Sequence, residues 1–183
     1  MLILILIVLT ICILVGLYIN TYNKIQDYII KINEVEAIID TNLRNKYDNI
    51  NKSVSIIKAN DKINKKIDKN MFEEVVRLRN IKISNFDLDR KLIEAYNEFI
   101  VLKEKYKEEL EESEELNNIS KKLENIDENL EVNREYYNKN IAEYNKLIKM
   151  FPTNIIAKLN KYEEKLFFDK KDMSDDDYND FKL

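Results

Sequence analysis

The sequence predicts an all-α protein: a single N-terminal transmembrane helix followed by an antiparallel up-and-down helical bundle of three long helices and a short C-terminal one. Three observations lead there. The 183 residues include one glycine and one proline, Gly16 and Pro152, too few to punctuate anything but long helices with short connections. Residues 1–19, MLILILIVLTICILVGLYI, carry no charged side chain. Beyond them apolar residues recur at alternating spacings of three and four, the period of a helix with one buried stripe.

The apolar run from Leu2 to Ile19 measures about 27 Å as a helix, close to the roughly 30 Å hydrocarbon core of a bilayer. A cleaved signal peptide would want a basic leading segment and small residues at the cut, and this run has neither. Residues 1–22 are therefore expected to stay as an anchor whose partner is the lipid bilayer through residues 2–19, with Cys12 a lipid-facing or packing residue. Lys24, Lys31, Arg44 and Lys46 follow the span, and by the positive-inside tendency they place the C-terminal domain in the cytoplasm.

Residues 23–168 are predicted to form the bundle. In its first helix Ile25, Ile29, Ile32, Ile39, Leu43, Ile50, Val54 and Ile57 make one stripe, with Glu36 and Lys46 filling two gaps. Nothing between Tyr18 and Lys24 would break the helix away from the span, and KANDK at 58–62 is its first plausible turn. A second helical region carries Ile63, Ile67, Met71, Val75 and Leu78, pauses near ISNFD where Ser84 can cap a restart, and resumes through Leu88, Leu92, Tyr96, Phe99, Leu102 and Tyr106. The third helix aligns Leu116, Ile119, Leu123, Ile126 and Leu130 with Asn133, Tyr137, Asn140, Tyr144, Leu147 and Phe151. After Pro152 a short helix over IIAKLNKYEEKLFF is expected to lay Ile155, Ile156, Leu159 and Phe167 across an end of the others, capped by Thr153 or Asn154. Amphipathic helices of this kind take most of their stability from packing, so the stripes must close on one another. Sustained heptads also fit an extended parallel coiled-coil dimer, an alternative that the turn at 58–62 disfavours.

The composition excludes more than it offers. With 35% charged residues, no histidine, no tryptophan and one cysteine, the chain lacks the commonest general base and metal ligand and any intramolecular disulfide. A net charge of -4 with mixed signs leaves no basic face, so nucleic acid is not an expected partner. The acidic stretch YKEELEESEEL reads as a solvated face, since bundle metal sites pair glutamate with histidine. DMSDDDYND lacks the glycine and closing glutamate of a calcium loop and reads, within 169–183, as a disordered acidic tail. No catalytic residue, metal ligand or cofactor is expected.

One segment stands apart: REYYNKNIAEYNKLIKMFPTN, from Arg134 to Asn154. Arg134, Asn138, Ile141 and Asn145 share one stripe of the third helix, beside a second of Tyr137, Ile141, Tyr144 and Ile148. Polar groups on a packed stripe need partners, because each one left unpaired costs roughly 1 to 3 kcal/mol. The alternative is that both asparagines face solvent.

The segment resembles the signature of the LemA family of bacterial membrane proteins: an arginine, two Tyr-Asn pairs one heptad apart, Phe-Pro, an alanine and a closing Phe-Phe. The matching residues are Arg134, Tyr137, Asn138, Tyr144, Asn145, Phe151, Pro152, Ala157, Phe167 and Phe168. An earlier block, IDTNLRNKYDNINKSV, is similar at Ile39, Asp40, Leu43, Asp48, Ile50 and Val54, with Lys46 at the family's arginine position. Asn49, Asn51, Lys52 and Ser53 depart from the pattern, and the family's Tyr-Pro before the third helix is missing. The resemblance implies one N-terminal span, an antiparallel helical bundle and no catalytic residues. It also favours an interior position for the polar stripe. Asp40 and Arg134 are then expected to form a charged, hydrogen-bonded pair completed by Asn138 and Asn145, fixing helix register more than adding stability. The expected function is a membrane-anchored, non-catalytic interaction or scaffold module, binding an unknown protein partner or itself. A structural, self-associating coiled-coil membrane protein is the second reading.

Overall fold

The computed structural model describes residues 1–66, 73, 77–78, 83–110 and 113–168. Among them no strand occurs, and the helices are α1 (Leu2–Ala59), α2 (Asp61–Asn64), α3 (Asn85–Lys105), α4 (Lys107–Leu110), α5 (Glu114–Lys149) and α6 (Thr153–Leu159). The long elements begin and end where local chemistry dictates. α1 meets no proline and only Gly16 along its length, and it stops at Asn60, whose carbonyl accepts from the Ile63 and Asn64 amides as α2 begins. This is the turn predicted at 58–62. α3 starts at Ser84 as predicted: the hydroxyl accepts from the Asp87 amide at 3.2 Å and donates to the Asp87 carboxylate at 2.6 Å. Ser113 receives the Leu116 amide at 3.3 Å and opens α5.

The chain forms two compact units, Met1–Glu36 with Glu135–Leu183, and Ala37–Arg134. In the first, Ile25 and Ile32 of α1 pack with Ile141, Tyr144 and Ile148 of α5 and Ala157 of α6, flanked by Tyr28, Ile29, Tyr137, Leu147, Tyr162 and Phe167. The N-terminal part of α1 is long and apolar enough to cross a membrane, and none of it is buried by the protein. In the second unit the buried residues include Ile39, Leu43, Ile50, Val54 and Ile57 of α1, Leu92, Ala95, Phe99 and Leu102 of α3, and Leu116, Ile119, Leu123 and Leu130 of α5. Removing each such leucine, isoleucine, valine or phenylalanine side chain from water contributes about 2 kcal/mol.

The predicted stripes need four corrections. Val35, not Glu36, lies on the buried side of α1, because a step of three from Ile32 followed by four to Ile39 keeps the apolar residue inside. On α3 the step back from Leu92 is also three, so Asp89 is buried and Leu88 is not. Phe151 does not continue the buried stripe of α5; it is 79% exposed in the turn beyond the helix. The last helix ends at Leu159 rather than running to Phe168, and Ile155 and Leu159 face outward while Ile156 and Phe167 pack inward. Of the predicted second-helix stripe, Leu78 is buried, while Ile67, Met71, Val75 and the acidic tail 169–183 lie outside the described residues.

Candidate functional site

In the first unit the Tyr-Asn repeat of α5 holds the chain that follows α6. Asn160 closes α6, its amide bonded to the Ile156 carbonyl at 3.1 Å, and Lys161 takes a left-handed conformation at φ 56°. The Tyr162 amide then returns to the Ala157 carbonyl at 3.0 Å, ending the helix and releasing residues 162–168 as a strap without regular secondary structure. Asn145, almost wholly buried, pairs with both main-chain groups of Lys165: Nδ2 donates to the carbonyl at 2.8 Å and Oδ1 accepts the amide at 2.9 Å. Asn138 Oδ1 accepts the Phe168 amide at 2.7 Å. The Tyr144 hydroxyl donates to the Glu163 carbonyl at 3.0 Å, and the Tyr137 ring meets Phe168 edge-on with centroids 6.1 Å apart.

The seven-residue spacing has a geometric cause. Seven helical residues advance about 10.5 Å, and three extended residues cover about 10 Å. Asn145 and Asn138 are therefore separated by the same length as Lys165 and Phe168, the main-chain groups that they bind. Asparagine suits the task because its short amide carries a donor and an acceptor side by side, matching the N–H and C=O of one residue. Burial raises the pKa of Tyr144, with nearby Tyr162 and Glu163 adding to it. Burial, reinforced by the charge of Glu36, does the same to Tyr137. Around the strap, Gln26 donates to the Tyr162 hydroxyl at 2.6 Å, Tyr18 donates to Asn160 at 3.2 Å, and Lys149 pairs with Glu164 at 2.7 Å. Ala157 is small enough for α6 to enter the core. A cis peptide bond joins Phe151 to Pro152. Thr153 does not cap α6; its hydroxyl bonds back to the Leu147 and Met150 carbonyls at the end of α5.

The second unit holds two ion pairs, each with one buried and one half-buried member. Arg134 donates to Asp89 at 3.1 Å, and the Asp89 side chain is 6% exposed. Lys46, 1% exposed, pairs with Asp127 and lies 5.3 Å from the centroid of the Tyr96 ring. Two cations face two carboxylates. Burial raises the Asp89 pKa and Asp127 adds to the rise, against the opposing charges of Arg134 and Lys46. The Tyr96 hydroxyl is likewise pushed up, by burial first and then by Asp127 and Glu124. Among the described residues no group of three metal-capable side chains converges.

The predicted pairing is thus corrected at one member. Arg134 meets Asp89, whereas Asp40 pairs on its own helix with Arg44 at 2.8 Å and keeps 37% of its side chain in solvent. Asp40 sits on the edge of the α1 stripe, Asp89 in the middle of the α3 stripe, and the buried position wins the guanidinium. Asn138 and Asn145 bind main-chain groups of the strap. Sequence reasoning does not single out Asp89, Asp127 or the main-chain groups of the strap, and it gives Tyr96 only as a residue of the apolar stripe. For Lys46 the signal is its place on the apolar stripe of α1, where it is 1% exposed. No curated protein and no solved structure matches the chain. The model of the LemA family matches residues 36–179, and the chain belongs to that family.

Proposed function

We propose that this chain is a single-pass, membrane-anchored, non-catalytic protein whose antiparallel helical bundle acts as an interaction or scaffold module at the cell membrane. The observation that carries the reading is where its buried and half-buried polar groups go. Asn138, Asn145 and Tyr144 are committed to the chain's own backbone, and Lys46, Asp89, Asp127 and Arg134 to one another. Groups so committed serve to align helices, and histidine, the commonest general base, is absent from the sequence. The antiparallel arrangement is supported by the order of the ion pairs: Lys46 with Asp127 and Lys52 with Glu115, one number rising as the other falls. A cytoplasmic bundle is supported by Lys24, Lys31, Arg44 and Lys46 after the span. Protease treatment of intact cells tests that side: cleavage of the bundle from outside overturns it.

Self-association is the second reading. Ile93, Ile100 and Val101 stand exposed on α3 at helical spacing, a face that a partner could cover. A photo-crosslinking residue at position 101, introduced in growing cells, separates the two. Adducts with other proteins support the scaffold, adducts of this chain alone support self-association, and no adduct removes α3 as the contact face.

A further inference from the structure

Between Met150 and Leu159 the chain leaves several large apolar side chains uncovered. Phe151 is 79% exposed, Leu159 72%, Ile155 52% and Met150 51%, while Ile148, Ile156 and Ala157 between and beside them are buried. On α6, Ile155 and Leu159 are four residues apart and share the outer face, and Ile156 and Ala157 occupy the inner one. Single exposed leucines are ordinary, but a cluster of this kind within one turn and one short helix marks a contact surface.

The position of the cluster identifies what covers it. Asn160, the residue after Leu159, accepts a hydrogen bond from Tyr18 at 3.2 Å, and Tyr18 belongs to the uncharged run that α1 carries toward the bilayer. Tyr18 stacks with Tyr22, centroids 6.2 Å apart, an aromatic pair of the kind that collects at the lipid headgroup level. Lys158 and Lys161 are exposed beside the cluster, where they suit anionic headgroups. We propose that Met150, Phe151 and the outer face of α6 lie in the interfacial zone of the bilayer, a second contact with lipid beside the span. The inference rests on residues 2–19 crossing that bilayer. The end of the first unit then sits on the membrane rather than above it.

The chain has no tryptophan, so a single introduced one reports its surroundings. Leu9→Trp, Phe151→Trp, Leu159→Trp and Val101→Trp are each made in the full-length chain and placed in nanodiscs of mixed zwitterionic and anionic lipid. A fraction of the lipid carries a nitroxide quencher near the headgroup or at mid-chain. Positions 151 and 159 are expected to emit at shorter wavelength and to lose roughly half their intensity to the headgroup-level quencher, while position 101 is unaffected. Emission at 151 and 159 matching that at 101, with position 9 quenched at mid-chain, overturns the interfacial contact and leaves the span intact. Loss of quenching at position 9 as well means that the span reading itself has failed. A shift to shorter wavelength at 151 and 159 without quenching marks a protein or second-copy contact and also overturns the proposal.

Discussion

The side chain of Asn145 makes with Lys165 the pair of hydrogen bonds that one strand makes with another, giving one to the carbonyl and taking one from the amide. A helix therefore recognises a stretch of main chain through a single amide, and a second amide one heptad back repeats the grip at Phe168. The contacts are blind to strap side chains, so what they specify is length and direction.

Asn145→Ala should remove both bonds at Lys165 and destabilise the first unit by about 2 kcal/mol, because the orphaned main-chain groups are partly buried. Asn138→Ala, which removes one bond, should cost about 1 kcal/mol. Urea titration of the full chain, with limited proteolysis read at residues 160–168, checks both. Equal loss in the two variants would contradict the two-to-one difference in bonds.

Lengthening the strap separates pitch from chemistry. Because Asn138 accepts from main chain, one residue inserted between Leu166 and Phe167 brings the Phe167 amide opposite Asn138 and keeps the hydrogen bond, while the Phe168 ring leaves Tyr137 and the Phe167 ring leaves the core. The loss should therefore add to that of Asn138→Ala, about 1 kcal/mol. An insertion whose effect vanishes in the Asn138→Ala background would show that the bond at Asn138 depends on which residue stands there.

Arg134→Ala strands the Asp89 carboxylate inside the second unit and should cost about 3 kcal/mol, while Asp40→Ala breaks only a solvent-facing pair and should stay within about 0.5 kcal/mol. Adding Asp89→Asn to Arg134→Ala should recover part of the loss. Thermal melts of the four chains decide the matter, and a large effect at Asp40 would restore it as the partner.

Lys46→Met should likewise leave Asp127 without its cation. The loss should fall nearer 2 than 5 kcal/mol because the Asp127 side chain keeps access to water. The double variant Lys46→Met with Asp127→Leu should be less damaged than Lys46→Met alone. Failure of the second substitution to rescue would show that Lys46 acts through its cation over the Tyr96 ring and not through Asp127.

Asp89 also sets a pH dependence whose sign follows from its raised pKa. The folded state holds the proton more tightly than the unfolded one, so this group favours folding below the ordinary value of 3.8 and loses that advantage as pH rises through the higher folded value. The stability of the native chain relative to Asp89→Asn should therefore fall as pH climbs from the ordinary aspartate range upward, then level off. A difference curve rising over that interval would reverse the assignment.

The helices were legible because their apolar spacing is a direct image of a buried face. The turn at 58–62, the Ser84 cap and the inward Lys46 all follow from local chemistry. What was hidden depended on choices that local patterns leave equal. A step of three or four back from Leu92 reaches Asp89 or Leu88, and the apolar residue looked the better fit although the acid is the one inside. Residues 160–168 keep a helix-like spacing of Tyr162, Leu166 and Phe167, yet their amides are claimed by Asn138 and Asn145, a competition visible only once α5 is alongside. Heptad spacing in the Tyr-Asn repeat was plain from the start. Its purpose is not, because the ruler it matches is an irregular stretch of main chain and not another helix.

Between Gly16 and Gln26, α1 contains no break, bend-forming residue or loop. A displacement or rotation of the apolar N-terminal end of α1 is thus also imposed, without slack, on the side chain that holds Tyr162 at the root of the strap. With residues 2–19 in a bilayer, as proposed, the thickness of that bilayer would have a direct mechanical route to the clasp.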